Sequence, residues 1–169
     1  QSLVPLVRQA IIYEVHSRRP QIALLAPNDE FDPACGALAN TEDLDFGRWF
    51  DEPDNFVIAS VECFPGTDCW LQNGFDIVTV ADTRGGEMNA AIRAMFGIDW
   101  IGNLLVVKRG RFDRSRVVNI TRPEMSLISA LVHRYAFWYG PRRIRAHPSY
   151  RWLEMHTTGD DRHSSTYSE

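Results

Sequence analysis

Apolar positions recur along the chain in two registers, and the changes of register mark its elements. Val4, Val7, Ile11 and Val15 fall at three- and four-residue spacing, with Ser2 ahead of them and Pro5 in the first turn, which predicts a helix that Pro20 ends. Ile22 to Ala26 is a short apolar run between two prolines and predicts a strand. Asn28 to Asn40 reads as loop, and Thr41 is placed to cap a brief helix whose apolar side is Leu44, Phe46, Trp49 and Phe50. Phe56 to Cys63 predicts a strand stopped by Phe64-Pro65-Gly66, and a second strand, Phe75 to Ala81, follows Asn73-Gly74.

Beyond Gly85-Gly86, the residues Met88, Ala91, Ile92, Met95 and Phe96 trace one helical face, and Gly97 is placed to close it. Leu104 to Val107 and Val117 to Ile120 are β-type runs joined by a charged segment, a hairpin pattern. Thr121-Arg122-Pro123-Glu124 has capping-box spacing and opens a last helix with the face Met125, Ile128, Leu131, Val132, Tyr135 and Tyr139, which Gly140-Pro141 stops. Strands in pairs with helices between them predict an α+β fold, a mostly antiparallel sheet of about five strands with three main helices. The 169 residues suit one domain, 1–156, followed by a polar, frayed tail, 157–169. No repeat of solenoid or propeller length is visible.

With 44% hydrophobic and 24% charged residues, the composition is that of a globular protein with a packed core. Apolar runs are broken far short of a membrane span, so no membrane partner is expected. Pro5, Arg8 and Glu14 do not suit the h-region of a signal peptide, although a start without Met leaves room for a removed segment. Cys35, Cys63 and Cys69 form no even framework and predict reduced thiols and an intracellular location, cytoplasmic or nuclear. The alternative is a bridge between Cys63 and Cys69 across the Pro65-Gly66 turn.

Charge changes the picture most. From residue 28 to 55 nine acids face Arg48 alone, a net of −8, whereas from 100 to 151 eleven bases face Asp113 and Glu124, a net of +9. Of the chain's 18 basic residues only Lys108 is a lysine, and the arginine fork suits carboxylates, phosphates and aromatic faces. The candidate binding residues are therefore Lys108, Arg109, Arg111, Arg114, Arg116, Arg142, Arg143, Arg145 and Arg151. They have three uses: neutralising the chain's own acids, engaging an acidic protein surface on a partner or on a second copy, or holding nucleic acid. Phe112, Phe137, Trp138, Tyr139, Tyr150 and Trp152 lie among them and favour the last, since bases stack on such rings, while a pI near 5.7 weighs against it.

No phosphate loop, dinucleotide fingerprint, nucleophile elbow or zinc spacing is present, and no metal or cofactor is expected. The five histidines are scattered, and His133 reads as a packed side chain. Asp82 to Glu87 forms the one enzyme-class candidate: Arg84, Gly85 and Gly86 as an anion site ahead of a helix, in a small hydrolase or transferase, or simply a turn. The hydroxyl-rich tail from Thr157 offers phosphorylation sites or a solvated end. The sequence favours a non-enzymatic interaction domain over nucleic-acid binding and over catalysis.

Overall fold

The computed structural model describes residues 7–32, 40–50 and 55–146, with side chains through Arg143. Six strands form one antiparallel sheet: β1 Arg8–Tyr13, β2 Gln21–Leu25, β3 Phe56–Cys63, β4 Trp70–Val80, β5 Leu104–Arg109 and β6 Val117–Val118. Their order is β2-β1-β5-β4-β3, and β6 pairs with Lys108 and Arg109 of β5, beyond the stretch that β1 pairs. Two α-helices, α1 Ala90–Phe96 and α2 Met125–Ala146, complete the α+β fold.

The predicted first helix is corrected to strand β1 over its described part. Ala10, Ile11, Ile12 and Tyr13 are all buried because β1 lies between β2 and β5 with both faces covered. A strand covered on both faces is apolar at every position, so its spacing overlaps that of a helix face. The β-branched pair Ile11-Ile12 was the better signal. This correction accounts for the count of two helices where three were expected, and β1 added to the five expected strands makes six.

Other elements differ at their ends. Thr41 opens only a 3-10 turn, Thr41–Asp43, and β4 begins at Trp70 instead of Phe75. The helix expected just after Gly86 begins at Ala90, capped by Asn89, whose side chain accepts from the Ile92 N–H. Gly97, at φ 66°, closes it as expected. The box before α2 is present, with the Thr121 and Glu124 side chains each serving the other's backbone.

Gly140-Pro141 does not stop α2. Gly140 lets the helix approach the segment before Trp100 closely, since a Cβ there would lie 3.1 Å from the Asp99 carbonyl oxygen. Arg143 then anchors the following turn to the sheet, so tertiary contacts offset what the proline costs.

Two apolar layers sandwich the sheet. On one face α1 and α2 pack over Ile11, Tyr13, Phe75, Ile77, Leu104 and Val106, with Trp100 buried between them. On the other, Leu44, Phe46, Trp49 and Phe50 cover Ile12, Leu25, Val78, Leu105 and Val107. The acidic stretch thus contributes a structural layer, fixed to the sheet by its aromatic residues.

Candidate interaction surface

The cationic stretch divides into an internal part and an exposed part. Lys108 Nζ lies 2.7 Å from Glu124, whose carboxyl burial would raise; the hydrogen bonds from Lys108 and Thr121 and the Lys108 charge outweigh burial and hold it below its ordinary value. Arg109 hydrogen-bonds Glu62, and its Nε lies at ion-pair distance, 3.1 Å, from a carboxylate oxygen of the buried Asp76. Arg114 closes on the same Glu62. For Glu62, too, burial pushes the carboxyl up and the two arginines pull it further down, so it stays ionised under the hairpin.

Arg143 has no carboxylate within ion-pair distance among the described residues. Its guanidinium lies 4.6 Å from the centre of the Trp100 ring and donates to the carbonyls of Val80, at 2.9 Å, and Ile101, at 3.0 Å. Burial lowers its pKa more than the nearby Tyr135 raises it. Arg143 is therefore a packing residue in the described fold. Arg143→Ala is expected to lower stability by about 2–3 kcal/mol, from a desolvated cation–π contact and two carbonyls left without donors, in a urea unfolding titration.

Arg111, Arg116 and Arg142 are exposed and have no carboxylate within ion-pair distance among the described residues. Arg111 lies 5.6 Å from the ring centre of Phe112, which is 94% exposed. Arg116 acts on Asp113 only at longer range, adding to the Ser115 hydrogen bonds that lower that carboxyl. Arg142 stands on α2 beside a run of exposed rings, Phe137, Trp138 and Tyr139. The side chains of Arg145 and Arg151, like Tyr150, Trp152 and the tail from Thr157, lie outside the described residues.

A further arginine joins this face. Arg134, exposed one helical turn before Trp138, lies 5.6 Å from the ring centre of Phe64 in the β3–β4 turn. That turn and α2 enclose two adjoining grooves. One of about 360 Å³ runs along Ala59 to Thr67 under Tyr135 and Tyr139, and one of about 230 Å³ is walled by Pro65, Gly66, Trp138, Tyr139 and Arg142. Gly66, at φ 78°, makes this possible: a Cβ would lie 2.5 Å from the Trp138 indole nitrogen. Burial raises the Tyr135 hydroxyl's pKa, which keeps that ring neutral in the groove wall.

The 82–87 turn forms a separate cleft of about 370 Å³ with Glu14, His16, Arg48 and Asn103 among its walls. Arg84 is held by Asp82, Nη2 to Oδ2 at 2.7 Å, and this hydrogen bond, more than any other influence, lowers the Asp82 carboxyl to about 2. His16 faces Glu87 at 3.5 Å. Gly85, at φ 70°, makes the turn, while Gly86 lies against Ile101. Because α1 starts at Ala90, the glycine amides are not its first amides, which removes the helix-dipole part of the anion argument.

No cluster of metal ligands occurs among the described residues. His133, expected as a packed side chain, is exposed on α2 and stacks one face on Phe96, with ring centres 4.9 Å apart. Cys63 and Cys69 are free thiols, and Cys35 lies outside the described residues. No helix among the described residues is long and apolar enough to cross a membrane.

No family model, curated protein or solved structure matches the chain.

Sequence reasoning missed three residues that organise this region. Glu62 and Asp76 are the internal partners of the arginines, and Gly66 admits Trp138 to the turn. A lone acid inside Phe75-Asp76-Ile77 was the available signal, because an acid in a buried strand needs a partner.

Proposed function

We propose that the chain is a non-enzymatic interaction domain that binds an acidic protein surface, on a partner or on a second copy of itself. The docking face is the outer side of α2 with the β3–β4 turn. One observation carries this reading: after Glu62, Asp76, Glu124 and the carbonyls have taken Lys108, Arg109, Arg114 and Arg143, Arg134 and Arg142 remain exposed among Phe137, Trp138 and Tyr139. Arginine next to large exposed rings is the composition of protein-binding hot spots, and exposed rings of this number cost solubility unless something covers them.

Fluorescence anisotropy with labelled poly-glutamate tests it. Trp138→Ala and Arg142→Ala are each expected to weaken binding by about tenfold or more. Arg142→Ala should leave the unfolding free energy within about 0.5 kcal/mol of wild type in a urea titration, because Arg142 is exposed. Wild-type affinity in both variants contradicts the reading.

Phe112, exposed at the tip of the β5–β6 loop beside Arg111, favours a second reading in which single-stranded nucleic acid stacks on these rings. A labelled single-stranded oligonucleotide separates the two. Binding to it that exceeds poly-glutamate binding and falls steeply with salt selects nucleic acid.

A further inference from the structure

β3 is the last strand of the sheet, and its outer edge has no partner among the described residues. The phase of the ladder tells which groups this edge presents. The Ala81 N–H donates to the Asn55 carbonyl at 3.2 Å, and Phe56 stands opposite Val80. In an antiparallel pair the bonded residues alternate, so Val57, Ala59 and Val61 bond across to β4. Ile58 and Ser60 therefore turn their N–H and C=O groups outward. The register shifts only beyond Val61.

The residues of this edge lack the usual protective types. From Phe56 to Val61 it carries neither lysine nor proline, and Val57 is 49% exposed. The opposite edge, β2, is only five residues long and flanked by Pro20 and Pro27. Beside the β3 edge runs the larger groove, floored by Ala59 and Val61 and roofed by Tyr135 and Tyr139. Ala59 is small and leaves the floor low. Past the end of β3 the second groove ends at Arg142.

We propose that an extended acidic segment of a partner protein adds as a seventh strand along β3. Its backbone pairs with Ile58 and Ser60, alternate apolar side chains enter the groove under Tyr135 and Tyr139, and a carboxylate reaches Arg142. Strand addition at an open edge beside a helix supplies affinity through main-chain hydrogen bonds and specificity through the side chains that alternate into the groove. Arg142, exposed and with no carboxylate at ion-pair distance among the described residues, sets the charge of the guest. The inference rests on the α2 face being a docking surface for acidic protein and adds how the partner is held.

Panning a random dodecapeptide phage library against the full chain, followed by amide hydrogen exchange with the selected peptides, tests it. Acidic sequences with apolar residues at alternate positions are expected, and on binding the Ile58 and Ser60 amides should exchange at least about tenfold more slowly. Methylating the peptide nitrogens that face β3 should weaken binding by about tenfold, the effect of losing one hydrogen bond of ordinary net strength. Acidic peptides that perturb α2 while Ile58 and Ser60 exchange as in the free chain overturn strand addition and leave the docking face standing. Recovery of no acidic peptide overturns both. Protection of the two amides without peptide, with a dimeric mass by light scattering, shows the edge closed by a second copy and also overturns the proposal.

Discussion

Asp76→Ala lowers the stability of the fold by about 3–5 kcal/mol, the cost of stranding a charge from a buried pair. Asp76 is 4% exposed on the sheet face under the 40–50 segment, where it accepts hydrogen bonds from Thr41 and Ser60 and pairs with Arg109. Truncation leaves two hydroxyls and one side of a buried guanidinium without an acceptor. Glu62 remains to hold Arg109 from the other side, so the loss stays below full unfolding. Urea titration followed by tryptophan fluorescence measures it, since Trp49 sits in the layer that Thr41 ties down. Thr41→Val, which removes one hydrogen bond and keeps the shape, should cost about 1 kcal/mol. A loss under about 1 kcal/mol for Asp76→Ala shows that the network is not holding the acidic layer to the sheet.

At Asn89 the expected loss is of similar size for a different reason. Asn89 is completely buried; its amide donates to the carbonyls of Tyr13, at 2.7 Å, and Gly102, at 2.9 Å, while its oxygen accepts from the Ile92 N–H. One side chain thus caps α1 and ties it to β1 and to the segment before β5. Asn89→Ala forfeits a cap worth about 1 kcal/mol and orphans two buried carbonyls at about 1–2 kcal/mol each, about 3–5 kcal/mol in all. Asn89→Asp separates the roles. Aspartate caps helices well, so a residue that only capped would tolerate it. Here it sets a carboxylate against two carbonyl oxygens and should destabilise at least as much as alanine, measured by thermal unfolding. A near-neutral Asn89→Asp disproves the tie to the two carbonyls.

Both residues show where local pattern stops being informative. Asp76 in an apolar strand and Asn89 ahead of a helix are visible in the sequence, but their partners lie 35 and 76 residues away, at Thr41 and Tyr13. The proposed docking face was legible in part. The arginines and rings of 134–142 were visible as neighbours in the chain, whereas the groove depends on Gly66 and Phe64, which only packing brings to Trp138 and Arg134. Arg142 and Arg143 show the limit most directly. They are adjacent and chemically identical, yet one is exposed and the other lies against Trp100, because successive helix positions turn by about 100°.

The sequence by itself determined the α+β class, the strand over Phe56–Cys63, the β5–β6 hairpin, the closing Gly97 and the box that opens α2. These depend on contacts within a few residues, where side-chain periodicity and capping chemistry act directly. Tertiary structure decided that Arg8–Tyr13 is a strand, that α2 continues through Pro141, and which bases are already paired. Each of those outcomes is an energy shared with a distant partner: a neighbouring strand, two carbonyls beside Trp100, or a carboxylate across the sheet. Such energies exceed local propensity, and the nearby sequence signals them only by single residues, such as the β-branched pair Ile11-Ile12 or the acid in Phe75-Asp76-Ile77, without naming the partner.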